Sequence, residues 1–545
     1  MPLFADSVIT GGRFYTMDSR SSVCEAVAIR DGRFVAVGDA ETVSALVGPD
    51  TEETDLGGAC VLPGLIDTHM HLDLLGADLW SLGFEGAATI SQALDRIAGR
   101  ARDIPDGEWI RGALWHPVSQ LAEKRYLTRD ELDRAAPDNP VFLPVGHFCL
   151  VNSVALERAG IDDTTPDPDG GTIHRDANGR CTGLLEERAE ELVFRAIPAW
   201  TDSDREAQLL AAMKLANRHG LTSVVSAAVS PAIFRAHQTL LARGEATLRT
   251  SCMFAPTGTL NPGMTLDEWE TFFSRIGAMS DFGNDWLSYS GVKLQIDGGM
   301  TLGTALMRDG YPHDPSYKGV TVIEPDRFRA LVAIANRFGW RVGVHAVGDA
   351  AIDLVLDAYE AASAERSIAD RRFIVIHGSL IRPDQMERCL RLGVRVDAQS
   401  TFLLRKAGAV ANYLGKPVAD RAVPMRSMIN RMGLDLLGQG TDTPINDLDP
   451  FLNIAFMVTR RDVNGTVYGP GETITREEAV RLYTSAAARY AFMEDRLGSI
   501  EPGKLADLTT LSDDLFAVPE EKLGSLRATR TYVAGRLVHA AAGQA

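Results

Sequence analysis

The chain has 545 residues, enough for several domains or for one large barrel with additions. Hydrophobic residues make up 45% of it and charged residues 23%, which excludes an intrinsically disordered protein. The 73 acidic residues outnumber the 55 basic ones, so that the net charge is −18. Because such a surface repels phosphates, we expect no nucleic-acid partner.

The sequence also carries no sign of export or of membrane insertion. No apolar run reaches the ~18 residues that a membrane helix needs, and no cationic segment followed by an apolar one stands at the N-terminus. The six cysteines are scattered without a CxxC pair, which is typical of reduced thiols. We expect a cytoplasmic protein that does not associate with membranes.

Both ends of the chain are rich in short β-strand patterns separated by turns. The pair Asp31-Gly32 lies between two such patterns near the N-terminus, and Ala534-Gly535 lies between two near the C-terminus. Each pair predicts a hairpin turn. We predict that residues 1–60 and 499–545 together form a small β-sandwich domain.

The central residues, 61–498, alternate short apolar runs with helical patterns. Helical periodicity is clear at 326–338, 350–362 and 384–392. Eight strand–helix repeats indicate an α/β fold of the (β/α)₈ TIM-barrel type. The eight predicted strands lie in the runs 61–71, 221–230, 248–256, 289–299, 340–349, 372–379, 393–400 and 434–444.

One connection is too long for a regular barrel. The first and second runs are about 150 residues apart, whereas a barrel of ~250 residues allots ~31 to each strand–helix unit. Residues 75–205 are therefore predicted to be a large insertion after strand 1. Because barrel active sites are built from the loops that follow the strands, this insertion is placed to shape the pocket.

Metal-binding side chains stand near the carboxyl ends of five predicted strands. In His69-Met70-His71, strand alternation puts both imidazoles on one face. Imidazole and carboxylate bind Zn²⁺, Fe²⁺ or Mn²⁺, and such a cation lowers the pKa of bound water from ~15.7 towards ~7. The pattern predicts a divalent metal site, with Zn²⁺ favoured. The candidates on later strands are Lys293, His345, His377 and Asp442.

Several of these candidates have alternative interpretations. Lys293 would be deprotonated, lie outside the coordination shell, or react with CO₂ to form a carbamate, and only the carbamate has two anionic oxygens that bridge two ions. Asp297 either orients Lys293 or a ligand, or caps local structure. In the insertion, Trp115 and His116 either line the substrate pocket or pack in a core.

Several segments resemble the amidohydrolase superfamily. LPGLIDTHMHL is similar to its strand-1 signature. The segments GVKLQIDGG, VGVHAVGDAAIDLVLDAYE, VIHGSL and GQGTDTPINDLDPF resemble amidohydrolase family 3, which includes N-substituted formamide deformylases. GSIEPGKLADLTTLS resembles the return into the terminal β domain, and DNPVFLPVGHFCLVNSVALERAGI resembles the insertion.

The resemblance implies a metal centre with one ion or two. It implies that His69 and His71 bind a buried metal ion. His345 and His377 would bind a more exposed ion, and a carboxylated Lys293 would bridge the two.

The resemblance also implies catalytic roles. Asp442 would contact the buried metal, act as general base and return the proton to the leaving nitrogen. His147 matches an insertion histidine that approaches the substrate. A homodimer is one oligomeric state that the resemblance allows.

These observations favour a metal-dependent hydrolase that cleaves an amide-type C–N bond, N-formyl and cyclic amides included, in a small molecule. The alternatives are a deaminase, an isomerase or decarboxylase on the same scaffold, and a non-catalytic scaffold protein. Superfamily deaminases usually carry a carboxylate three residues after a strand-5 or strand-6 histidine. The residues that follow His345 and His377 supply none.

Overall fold

The computed structural model describes residues 4–113, 115, 117–145, 148–168, 171–256 and 263–543. Two compact units divide the chain. One unit consists of Met1–Leu72 and Met213–Ala545 and contains the barrel together with the terminal β-strands. The other is Asp73–Ala212, which follows the first barrel strand in the chain.

Eight parallel strands form the barrel sheet and neighbour one another in chain order. The backbone that follows the last strand meets the first, since the Asp442 N–H donates to the His69 carbonyl at 2.7 Å and the His71 N–H donates to the Thr443 carbonyl at 2.8 Å. The predicted (β/α)₈ barrel is thus confirmed. Its strands are β1 (Leu65–Met70), β2 (Leu221–Val229), β3 (Arg249–Phe254), β4 (Leu287–Gln295), β5 (Val342–Ala346), β6 (Ile374–His377), β7 (Arg395–Ala398) and β8 (Leu437–Gln439).

The first predicted run, 61–71, contains two strands that belong to different sheets. Cys60–Pro63 pairs with strands of the terminal β layer, and β1 begins two residues later. Gly64 lies between them, and a Cβ there would be 2.2 Å from the Thr222 hydroxyl oxygen. The chain therefore passes from one sheet to the other through a residue that has no room for a side chain.

The helices around the barrel bury one face each, and three of them lie where helical periodicity predicts them. These are Pro325–Arg337, Asp349–Glu365 and Pro383–Leu392. The first buries a stripe that includes Phe328, Leu331 and Val332, as expected of an amphipathic helix. The other helices outside the insertion are Ala40–Ser44, Asp202–Arg218, Pro231–Ala242, Leu266–Ile276, Thr401–Leu414, Lys416–Arg421, Met425–Met432, Pro450–Thr459, Arg476–Leu482 and Ser485–Tyr490.

Both ends of the chain build the β-sandwich, as predicted. Positive φ angles at Asp31 (52°) and Gly32 (70°), and at Ala534 (50°) and Gly535 (72°), form the two predicted hairpin turns. One sheet contains Arg33–Gly38, Ala26–Arg30, Ser7–Thr10 and Glu52–Asp55. The other contains Arg536–Ala540, Ala528–Val533, Leu508–Leu511, Cys60–Pro63, Arg13–Tyr15 and Val23–Cys24.

The insertion has a sheet and a hydrophobic core of its own. Trp115 and Phe84 stack in that core with ring centroids 4.0 Å apart. Its strands are Ile110–Arg111, Val141–Pro144, Phe148–Val151, Gly171–Arg175 and Cys181–Glu187. Its helices are Leu72–Trp80, Ile90–Asp103, Pro117–Gln120, Arg129–Ala135, Ser153–Arg158 and Glu190–Phe194. Across the described parts of both units, no helix has the length and apolar character to span a bilayer.

Candidate metal centre

Three of the predicted ligands meet where β1 and β8 end. His69 is the fifth residue of β1, His71 follows that strand, and Asp442 lies three residues beyond β8. One ligand atom from each lies within 4.8 Å of the other two. The Nε2 atoms of both histidines are 3.3 Å from the same Asp442 oxygen, Oδ1. A single cation between these atoms would contact all three side chains.

The other three predicted ligands lie beside this group. The Lys293 Nζ atom is 3.4 Å from His69 Nε2. The His345 and His377 rings are nearly perpendicular, with centroids 4.4 Å apart, and His377 lies 5.5 Å from the His69 ring. The structure therefore brings all six residues into one cluster at the carboxyl ends of the strands.

Backbone carbonyls fix the orientation of two imidazoles. The Nδ1 atom of His71 is 3.2 Å from the Ala227 carbonyl, and the Nε2 atom of His345 is 3.1 Å from the Gly298 carbonyl. Because a carbonyl only accepts hydrogen bonds, the bonded nitrogen carries the hydrogen and the other nitrogen presents its lone pair. A neutral imidazole in this state is the form that binds metals.

His377 is held in the same way by a side chain and by a strained backbone. Its Nδ1 atom donates to Gln399 Oε1 at 2.6 Å, which leaves Nε2 for a metal. The φ angle is +73° at His377 and +61° at Asp442. Left-handed backbone costs a non-glycine residue about 1–3 kcal/mol and is concentrated at functional sites. Two of the six clustered residues thus hold conformations that the surrounding fold imposes.

Burial keeps the imidazoles of His69, His345 and His377 neutral. It lowers the pKa of His69 to about 3, with the nearby Lys293 charge acting in the same direction. It lowers the pKa of His345 to about 4, and that of His377 falls well below its ordinary value. At neutral pH these rings are therefore uncharged and their lone pairs are available.

The pKa values of the carboxylate and of the amine in the cluster are also shifted in directions that favour a bound cation. Burial opposes ionisation of Asp442, but the contacts with His69 and His71 hold its pKa well below the usual range. Burial lowers the pKa of Lys293 to about 8, against the opposing charge of Asp442. Neutral imidazoles with an anionic carboxylate are the donor set of a divalent transition-metal site.

Asp297 lies beside the strand-5 histidine and bonds to the backbone around it. It is fully buried, and its carboxylate accepts hydrogen bonds from the backbone N–H groups of Val347 at 3.0 Å and Gly348 at 2.9 Å. Its Oδ1 atom lies 3.7 Å from His345 Nε2. That separation is too long for a hydrogen bond, and the backbone N–H groups that Asp297 accepts from, that of Leu306 at 3.0 Å included, fit the alternative in which Asp297 caps local structure.

Sequence reasoning missed two polar residues, one in β7 and one directly after it. Gln399 bonds to His377, and Asp397 is fully buried beside β1. Burial raises the pKa of Asp397 to about 8 without a bound cation, although Thr68 and Tyr490 hydrogen bonds oppose the shift, and the positive charge of a cation held by His69 would favour the ionised carboxylate. The spacing of Asp397 and Gln399, which places both on one face of the strand, was the available signal.

Of the three candidate residues in the insertion, the structure describes only Trp115. Trp115 is 5% exposed and packs in the insertion core against Phe84. Contact of Trp115 with a substrate stays a prediction. His116 and His147 lie outside the described residues, and their roles stay predictions too.

Known proteins share this architecture. The amidohydrolase family profile matches residues 52–539. The protein YtcJ of Bacillus subtilis is 33% identical over 97% of this chain and 98% of its own. The N-substituted formamide deformylase of Arthrobacter pascens is 31% identical over 98% of this chain and 99% of its own. A crystal structure of a metal-dependent hydrolase from Pyrococcus furiosus, 28% identical, superposes with a TM-score of 0.76 over 94% of this chain and 99% of that one. The chain therefore belongs to the amidohydrolase family, and it is a metal-dependent hydrolase.

Proposed function

We propose that this protein hydrolyses an amide-type C–N bond of a small molecule, with N-formyl and cyclic amides among the substrate classes. The observation that carries the proposal is the meeting of an anionic carboxylate, Asp442, with the imidazoles of His69 and His71, whose ligand atoms lie within 4.8 Å of one another. Similarity to the N-substituted formamide deformylase supports the choice of bond.

The clustered side chains divide into two groups that would each hold a metal ion. His69, His71 and Asp442 would hold one divalent cation, and His345 and His377 would hold a second. Imidazole and carboxylate donors suit Zn²⁺, Fe²⁺ or Mn²⁺, and we take Zn²⁺ as the first candidate. When bound, such a cation supplies a water of pKa ~7 and polarises the carbonyl oxygen of the substrate.

Lys293 would complete a two-ion centre as a carbamate. Its pKa of about 8 leaves part of the amine neutral at neutral pH, and only the neutral amine reacts with CO₂. A bond forms between Nζ and the carbon of CO₂, and one proton is released. The product carries two anionic oxygens in place of an ammonium that would repel the cations.

Asp442 would carry the proton through the reaction. It is anionic in the folded protein, and its backbone N–H donates to the His69 carbonyl at 2.7 Å, which fixes its place beside β1. As general base it takes a proton from the attacking water. It then delivers that proton to the leaving nitrogen, so that the product departs as a neutral amine.

A substrate screen tests the proposal. Zn²⁺-loaded protein is incubated with N-formyl amines, N-acyl amines and cyclic amides, and the amine released or the ring opened is quantified. We expect turnover of at least one class, lost in Asp442→Asn. Folded, metal-loaded protein that cleaves none of them but releases ammonia from aminated heterocycles would refute the proposal in favour of a deaminase.

A further inference from the structure

A buried carboxylate that is not among the predicted ligands lies behind His69. Asp397, on β7, is fully buried. Its Oδ1 atom accepts a hydrogen bond from the Thr68 hydroxyl at 2.6 Å, and Oδ2 accepts one from the Tyr490 hydroxyl at 3.0 Å. Oδ2 is also 3.6 Å from His69 Nδ1. These contacts place the carboxylate on the side of the ring opposite to Asp442.

His69 differs from the other three imidazoles of the cluster in one respect. Each of those has one nitrogen within hydrogen-bond distance of a protein oxygen, at 2.6–3.2 Å. The Nδ1 atom of His69 is buried, and no hydrogen-bond partner within 3.5 Å exists for it in the described part of the chain. Asp397 Oδ2, just beyond that limit, occupies the place that Gln399 Oε1 takes beside His377.

A glycine makes the contact sterically feasible. The strands β7 and β1 are not neighbours in the barrel, because β8 lies between them. A Cβ atom at Gly438 of β8 would lie 2.8 Å from Asp397 Oδ1, from the Thr68 hydroxyl oxygen and from Tyr490 Cδ2. Any larger residue at 438 would occupy the space in which the carboxylate meets β1.

We propose that Asp397, held by Thr68 and Tyr490, is a positioning residue that accepts a hydrogen bond from His69 Nδ1–H. This bond fixes the tautomer and aims the His69 Nε2 lone pair at the cation that His71 and Asp442 also bind. The inference rests on the metal-dependent character of the enzyme and holds whatever bond the enzyme cleaves. Loss of such an outer partner typically weakens metal binding by about 10–100-fold.

The test measures metal affinity, not turnover. Asp397→Asn replaces one of two accepting oxygens with an NH₂ group that cannot accept. We expect the Zn²⁺ dissociation constant of the position formed by His69, His71 and Asp442 to rise about 10–100-fold in chelator competition. The other position should keep its affinity. Gln399→Leu is the matched control, since it removes the partner of His377 and should weaken the other position instead.

Two results would overturn the proposal. One is a folded Asp397→Asn protein in which the Zn²⁺ affinities of the two metal positions are both unchanged, or are both lowered by the same factor. The other comes from the wild-type protein, so that it remains decisive if the variant does not fold. The ¹⁵N spectrum of the Zn²⁺-loaded, histidine-labelled protein should show the proton of His69 on Nδ1. A proton on Nε2 would contradict the assignment.

Discussion

Asp442→Asn separates the proposed catalytic role of this residue from its role in holding the cluster together. The amide has the shape of the carboxylate, and its carbonyl oxygen can take the place of Oδ1, which lies 3.3 Å from Nε2 of both His69 and His71. The substitution therefore leaves the packing intact. It removes the negative charge and the group that would accept the proton from water.

The expected loss follows from the size of general acid–base catalysis. A positioned proton carrier contributes about 10²–10⁴-fold to the rate. Since each factor of ten corresponds to about 1.4 kcal/mol, the barrier should rise by about 3–5 kcal/mol. We expect kcat to fall by that factor, whereas KM should change by less than about threefold, because Asp442 would act on the proton and not on substrate binding.

The assay measures kcat and KM at saturating Zn²⁺, with the metal content of each sample determined by elemental analysis. Asp447→Asn is the matched control, because Asp447 is a partly exposed acid of the same loop that pairs with Arg405. This control should stay within about twofold of wild type. A fully metal-loaded Asp442→Asn protein that turns over within about tenfold of wild type would refute the assignment of the base.

Three further changes probe the cluster, the barrel and the buried titratable groups. His71→Ala removes one of three converging donors, so metal content after dialysis should fall below the wild-type value, and unchanged stoichiometry would contradict its role as a ligand. Gly440→Ala places a Cβ 2.5 Å from the His69 backbone nitrogen. The displacement of the chain after β8 from β1 should lower the free energy of unfolding, measured in urea, by about 1–3 kcal/mol. An unchanged free energy of unfolding would show that the backbone at this position moves aside without cost. His237 is 2% exposed on the helix Pro231–Ala242, and burial lowers its pKa to about 4. Between pH 6.5 and 4 only the unfolded state binds this proton, so the free energy of unfolding falls as the pH falls, by on the order of 2–3 kcal/mol at pH 4.5. Between pH 7 and pH 4.5, the free energy of unfolding should therefore fall by about 2–3 kcal/mol less in His237→Leu than in wild type. An equal fall in the two proteins would contradict the effect of this buried histidine.

The barrel could be predicted because each strand carries its own signal. The run 372–379 contains a strand of apolar residues, and that strand ends at a candidate ligand, His377. The transition at Gly64 gives no such signal. Residues on both sides of it are apolar, and the change of sheet depends on pairing between Cys60–Pro63 and the distant strand Leu508–Leu511.

The six clustered residues were accessible to prediction because imidazole, amine and carboxylate groups stand out at strand ends. For Asp397 the spacing to Gln399 points only to a shared face, because its place in the cluster depends on contacts with Thr68 and Tyr490 and on a glycine, Gly438, on a third strand. Local sequence specifies none of these contacts. Trp115 illustrates a second limit of local sequence. An aromatic residue beside a histidine is compatible with a pocket and with a core, and only the tertiary structure shows that Trp115 packs against Phe84.

The most direct test of the account is the position of the bound metal. Crystals of the Zn²⁺-loaded protein, measured at the zinc absorption edge, should show an anomalous peak about 2.0–2.2 Å from Nε2 of His69, from Nε2 of His71 and from an Asp442 oxygen. A protein that retains no transition metal, or a peak that lies away from these three side chains, would contradict the central claim that they bind the catalytic cation together.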